Sequence, residues 1–335
     1  MKIIIPMAGM GKRMRPHTLS IPKPLIPIAG KSIVQRLVES ISGIADEKID
    51  EIAYIIGDFG EEVENNLLKI AENVGSKGRI YYQKEPLGTA HAILCAEDSL
   101  NGKTIVAFAD TLFRANFKLD KEKDSIIWVN KVDDPSSFGV VKVDSNNKIN
   151  DFIEKPKSFI SDLAIIGIYY FKDGDNLKKE LKFLIENNIH KGGEYQLTDA
   201  LQNMMKKGVA FYTDVVDEWL DCGNKNATVH TNQRVLVNER SELLISSSAQ
   251  ILDSVIKEPC FIGENVKISN SIIGPYVSIG ENTYVENAVI VNSIIQSNSK
   301  ISDLNIENSM IGSHVEYRGS KLDVSIGDFT SITTC

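Results

Sequence analysis

Branched aliphatic residues recur through the last third of the chain at Ile262, Ile268, Ile273, Ile279, Val285, Ile290, Ile295, Ile301, Ile306 and Ile311, always five or six residues apart. Gly, Asn and Ser fill the intervals, as in IGENV, IGPYV and IGENT. A short fixed period of this kind is the mark of stacked coils whose interior is a column of the repeating side chains. A sandwich of short strands is the competing arrangement, and it has no reason to keep so constant a spacing. The five-residue legs depart from a strict repeat of six.

The first 235 residues have another texture. Apolar runs at Lys2–Pro6, Glu51–Ile56, Arg79–Gln83, Thr104–Ala109 and Ser125–Val132 alternate with helical patterns at Ile33–Ile41, Glu61–Val74 and Thr89–Asp98. Such alternation predicts an α/β unit with a mostly parallel, Rossmann-like sheet. Ligands of these sheets sit beyond the carboxyl ends of the strands, so motifs that follow a strand carry most weight. The expected organisation is a catalytic unit over 1–235, a linker over 236–250 and a coiled unit over 251–335.

Composition narrows the function. A charged fraction of 24% with 42% hydrophobic residues is that of a folded globular chain. No apolar run reaches the ~18 residues of a membrane span, and Cys95, Cys222, Cys260 and Cys335 form no paired or metal-like pattern. A cytoplasmic protein with reduced thiols is expected. The net charge of −8 argues against a nucleic-acid partner. Residues 1–40 nevertheless carry seven Lys or Arg against Glu39 alone, so a +6 segment sits on a remainder of −14. A local basic zone on an acidic chain suits a small anionic ligand.

That zone begins where the first strand ends, in Ala8-Gly9-Met10-Gly11-Lys12-Arg13. Glycines let backbone N–H groups close on an anion, and the basic side chains add charge. The dinucleotide fingerprint fails for want of a glycine at Met14; the P-loop pattern fails at Pro6 and Arg13. Prolines on both sides of Lys23 fix its backbone, which suits an ammonium that must meet a phosphate accurately. Gln83 follows a strand, and its amide can read a base edge with one donor and one acceptor. Asp110 ends another strand, where a carboxylate suits Mg²⁺.

The run AGMGKRMRPHTLSIPKPLIPIAGK closely resembles the signature of the sugar-1-phosphate nucleotidyltransferases. Further matches are Q…PLGTA from Gln83, the strand-end Asp110, FGV at 138–140, EKP at 154–156, DLAIIGIY at 162–169, GEYQLTD at 193–199 and WLDCGN at 219–224. The resemblance implies that the glycine loop (Ala8, Gly9, Gly11 and Lys12) wraps a nucleoside triphosphate. It implies that Arg13 and Lys23 hold the phosphates, and that Gln83, Pro86, Gly88 and Thr89 bind a uracil or thymine base. Gly139, Glu154, Lys155, Asp162, Ile165 and Glu194 would hold the sugar phosphate, and Asp110 with Asp221 one Mg²⁺. Arg13, Lys23 and Asp110 are the catalytic candidates. Asp162 stands where Asn is usual and Ala109 where Gly is usual. Thr89, Thr198 and Asp199 have a second reading as helix caps. The C-terminal period resembles the hexapeptide family of left-handed β-helices.

The implied reaction joins a hexose 1-phosphate, glucose 1-phosphate first, to dTTP or UTP with release of pyrophosphate. Mannose-1-phosphate guanylyltransferase is the alternative within the family. A bifunctional enzyme whose β-helix transfers acetyl groups would need a basic His, and only His314 is available there. A non-catalytic relative would have lost the Arg, Lys or Asp that this chain keeps. The five histidines (17, 91, 190, 230 and 314) form no cluster and read as packing or surface residues. Small-molecule substrates, no membrane and a homo-oligomer assembled through the β-helix complete the expectation.

Overall fold

The computed structural model describes residues 1–190, 192–239 and 244–320. The chain divides into two compact units, Met1–Pro27 with Lys31–Thr228, and Ile28–Gly30 with the chain from Val229. The division falls inside the helix Lys225–Asn238. The expected linker over 236–250 lies partly outside the described residues. So do residues 321–335 of the expected coil, Cys335 among them.

The first unit is built on a nine-stranded sheet. Its strands are β1 (Lys2–Pro6), β2 (Glu51–Ile56), β3 (Lys77–Tyr82) and β4 (Thr104–Ala107). A short ribbon strand, β5 (Thr111–Arg114), comes next, followed by β6 (Ser125–Lys131), β7 (Gly139–Val143), β8 (Ile149–Glu154) and β9 (Leu163–Phe171). β10 (Phe211–Val215) and a second ribbon strand, β11 (Glu218–Asp221), complete the set. The sheet order is β8-β7-β9-β4-β1-β2-β3, with β6 pairing β9 and β10. β4, β1, β2 and β3 run parallel, whereas β9 lies antiparallel to β4, β6 and β7. β5 and β11 pair with each other off this sheet.

Ile3, Ile4 and Ile5 of β1 and every residue of β2 are buried, as in strands covered on both faces. The helices start where their sequences say. Ser32 Oγ accepts from Gln35 N–H at 3.2 Å to cap α1 (Ile33–Ala45). Glu61, Glu62 and Glu64 place negative charge at the start of α2 (Glu61–Asn73). The short α3 (Thr89–Leu94) follows Gly88, and Asp173 caps α4 (Gly174–Glu186). α5 (Leu197–Lys206) buries Leu197, Ala200, Leu201 and Met204, one apolar stripe at helical spacing. Because β1, β3 and β4 are parallel, the segments that follow them leave the sheet at the same edge. The candidate site lies there.

The second unit is three all-parallel sheets of short strands, the arrangement of a left-handed β-helix. Ile268, Val285 and Ile301 stack in one column, Ile273, Ile290 and Ile306 in another, Ile279, Ile295 and Ile311 in a third. With all these pairings parallel, the sandwich is excluded. The five-residue legs shorten the coil from the 17-residue register of Lys267↔Tyr284 to the 16-residue register of Tyr284↔Lys300. Asn fills the corners because it tolerates the left-handed backbone. Asn265, Asn282 and Asn298 have φ of 55°, 56° and 61°. Their side-chain amides bond in a ladder at 3.2 and 3.4 Å. His314, with φ 58°, takes the next corner of that series.

Candidate active site

The loop after β1 turns on Gly11, whose left-handed backbone (φ 56°) starts a short turn over Lys12–Met14. A Cβ on Gly11 would lie 3.0 Å from the Thr18 methyl and 3.1 Å from Lys23 Cβ. The missing side chain therefore lets the loop close on the proline-braced segment. Thr18 Oγ1 fixes the closure by donating to Gly11 O at 2.9 Å. Lys23, between Pro22 and Pro24, reaches Asp110, with Nζ 2.7 Å from Oδ2.

Asp110 and Asp221 come from distant parts of the sequence and are brought together by the β5–β11 ribbon. Asp221 stands opposite Thr111, and Cys222 N–H donates to Asp110 O at 2.9 Å. Burial pushes the Asp221 carboxyl above its ordinary range. The Gly223 N–H donated to Oδ1 at 2.8 Å works against that, the charge of Asp110 adds to it, and Lys23 and Arg13 oppose it. Arg13 is close by, its Nη2 3.3 Å from where a Cβ of Gly223 would be. Two cations and two carboxylates thus share one corner. Among the described residues no group of three or more His, Cys, Asp or Glu could hold a metal. Two carboxylates still fit Mg²⁺, which is commonly held by one or two of them with substrate phosphates completing the shell.

A cavity of about 320 Å³ opens beside this corner. Its walls include Ala8, Gly9, Gly11, Lys23, Gln83, Pro86, Gly88, Thr89 and Asp110, so most of the residues expected at the nucleotide are gathered. Lys12 and Arg13 are not among those walls. Glu194, expected at the sugar, lines this first cavity instead. Gly88 is required here. Its backbone (φ 106°, ψ 178°) is open to glycine alone, and a Cβ would stand 2.5 Å from Tyr195 O and 2.7 Å from Tyr195 N. That proximity lets Tyr195 bond Leu87 O and Ala90 N–H, at 2.8 and 2.9 Å.

A second cavity, of about 240 Å³, adjoins the first, and Thr89 and Phe108 stand in both walls. Gly139 and Glu154 face each other across the β7–β8 hairpin and both line it. A Cβ on Gly139 would lie 3.1 Å from Glu154 Oε2. Ile165 lines it too, whereas Asp162 and Lys155 are not among its walls. Successive residues of a strand point to opposite faces, so placing Glu154 and Lys155 together needs a bend. The bend is in Lys155 itself (φ 43°), not at Pro156, and brings Lys155 Nζ within 3.7 Å of Glu154 Oε1. Burial, then the charge of Glu154, raises the pKa of the Tyr169 hydroxyl in this wall, which keeps it a proton donor.

The capping expectations resolve differently. Thr89 Oγ1 accepts from Leu197 N–H at 2.9 Å, across 108 residues, and so caps α5 rather than its own helix. Thr198 and Asp199 lie inside α5, whose N-cap position is Gln196. The sequence reading missed Phe108, the partition between the cavities, and the second-cavity residues Phe138, Tyr169 and Gln196. Only the position of Phe108 two residues before Asp110 pointed to it. Among the described residues Cys95, Cys222 and Cys260 form no disulfide, and no helix is long and apolar enough to cross a membrane.

The chain matches the nucleotidyl transferase family over residues 2–238. It is 31% identical over 265 residues to the bifunctional protein GlmU of Methanococcus maripaludis, covering 77% of this chain and 60% of that protein. It is 29% identical to a glucose-1-phosphate thymidylyltransferase of Streptomyces griseus, over 94% of this chain and 93% of the other. Among solved structures it resembles UDP-glucose pyrophosphorylase complexed with UDP-glucose, with a TM-score of 0.57 and 26% identity over 71% of this chain and 98% of that one. The chain thus spans only part of the length of the GlmU relatives it matches.

Proposed function

The chain belongs to the nucleotidyl transferase family, and from that premise we propose that it joins glucose 1-phosphate to UTP or dTTP, giving the nucleotide sugar and pyrophosphate. The observation that carries the reading is the pair of cavities sharing Thr89 and Phe108, beside the cluster of Lys23, Arg13, Asp110 and Asp221. The first cavity takes the nucleotide, with Gln83 at the base. The second takes the hexose, with Glu154 accepting from its hydroxyls and Lys155 on its phosphate.

Nucleotidyl transfer needs placement and charge neutralisation more than covalent catalysis. A phosphate oxygen of the sugar phosphate attacks the α-phosphorus in line. The bond from that phosphorus to the bridging oxygen breaks, and pyrophosphate leaves with the electron pair. No general base is required, because the attacking phosphate is already ionised. The triphosphate takes Lys23 over from Asp110, and Lys23 with Arg13 offsets the charge that grows on the leaving group. Asp110 and Asp221 would hold Mg²⁺, which supplies further neutralisation of the phosphates. The coiled unit contributes none of these groups among its described residues, and we read it as a homo-oligomerisation element.

A pyrophosphate-release screen of UTP, dTTP, CTP and GTP against a panel of hexose 1-phosphates tests the reading. Glucose 1-phosphate with UTP or dTTP is expected to be fastest. Preference for GTP with mannose 1-phosphate would replace it with the guanylyltransferase reading, and no release with any pair would end it.

A further inference from the structure

The wall assigned to the base contains a contact that its sequence motif does not announce. Gln83 Nε2 lies 3.3 Å from Gly88 O and 3.1 Å from His91 Nδ1. A carbonyl oxygen only accepts, so the amide atom turned to Gly88 is the nitrogen. Its second hydrogen goes to Nδ1, which can accept only in a neutral imidazole with the proton on Nε2. Reversing the amide would set its oxygen against the Gly88 carbonyl oxygen, which has no hydrogen to give. His91 itself is not a wall of the first cavity. With Leu94 and Cys95, three and four residues on along the same face of α3, it borders a separate hollow of about 400 Å³. Its side chain meets the wall of the first cavity at Gln83.

We propose that His91 is a positioning residue that pins the Gln83 carboxamide with its oxygen presented to the base. An acceptor held there selects a base whose hydrogen-bonding edge carries a ring N–H, as uracil, thymine and guanine do. Cytosine and adenine meet it with a ring lone pair and are rejected. This rests on the reading of the first cavity as the nucleotide site and adds to it the device that sets base choice.

The test uses the full chain and pyrophosphate release. Values of kcat/KM for UTP, dTTP, GTP, CTP and ATP are compared in the wild type, His91→Leu and His91→Asn, with the sugar phosphate that the wild type turns over best. Removing the pin is expected to lower the ratio of the best ring-N–H nucleotide to CTP by about three- to tenfold, the size of one hydrogen bond. The change should fall in the nucleotide KM rather than in kcat. Asn, whose carbonyl oxygen can take the place of Nδ1, should recover most of the ratio. A Leu variant that keeps the wild-type ratio, or one that loses all nucleotides equally, would overturn the proposal, as would a wild type that prefers CTP or ATP. Absence of turnover with every nucleotide in the wild type would instead remove the nucleotidyltransferase reading beneath it.

Discussion

Replacing Gly88 by Ala isolates the most constrained position of the site. The backbone there lies at φ 106° and ψ 178°, a region whose occupation by a side chain costs about 1–3 kcal/mol. The new Cβ would also meet Tyr195 O at 2.5 Å and Tyr195 N at 2.7 Å. Both are backbone atoms engaged with Ala90 N–H and Leu87 O, so relief requires breaking one of those bonds, at about 1 kcal/mol. Gly75 is the control: its φ is 73°, and a Cβ there would have nothing within 4 Å. Gly75→Ala therefore reports backbone strain alone. Gly88→Ala should lower Tm by roughly 4–10 °C and clearly more than the control. Because the displaced segment walls the first cavity, the nucleotide KM should rise about tenfold or more, a loss of ~1.4 kcal/mol, with a smaller change in the sugar-phosphate KM. Differential scanning fluorimetry and initial rates of pyrophosphate release measure both. Equal Tm shifts for the two variants with an unchanged nucleotide KM would refute the reasoning.

Lys23→Met, which removes a cation from the reacting phosphates, and Asp110→Asn, which removes a carboxylate that would hold Mg²⁺, should each reduce kcat by a factor on the order of 10² or more; steady-state rates check this. Asp221→Asn should trade activity for stability. The Asp221 carboxyl titrates above its ordinary value in the fold, so its charge costs stability once pH exceeds that folded value and costs nothing below the ordinary carboxylate range. The variant should accordingly melt higher than wild type at neutral pH and alike at low pH, in melting curves taken across pH. Thr89→Val should cost about 1 kcal/mol by uncapping α5 and raise KM for both substrates, since Thr89 stands in both cavity walls. Ile290→Ala, in the buried column of the coil, should destabilise the second unit by about 2–5 kcal/mol, read as loss of its melting transition at lower temperature.

What the sequence revealed was whatever acts locally. The apolar runs of β1 and β2, the glycine loop and the aliphatic period of the coil are each readable over a dozen residues. So was the Lys23 brace, because proline fixes its neighbour's backbone without help from the rest of the fold. Features that depend on distant pairing were hidden. Nothing near Thr89 announces that its hydroxyl caps a helix 108 residues later, and His91 reads as a packing residue because its partner is Gln83, in the segment between β3 and α3. At the bend that pairs Glu154 with Lys155, proline is the visible chain-breaker, yet the positive φ belongs to Lys155. The motif ties Glu194 to the sugar, and only the bonding of its segment to Leu87–Ala90 shows that it lines the first cavity.

A crystal structure of the protein soaked with UDP-glucose and Mg²⁺ tests the central assignment most directly. The account predicts uracil against Gln83, the diphosphate among Arg13, Lys23, Asp110 and Asp221, and glucose over Gly139 and Glu154. Density for the nucleotide sugar at any other place, with those side chains still paired to one another, would contradict it.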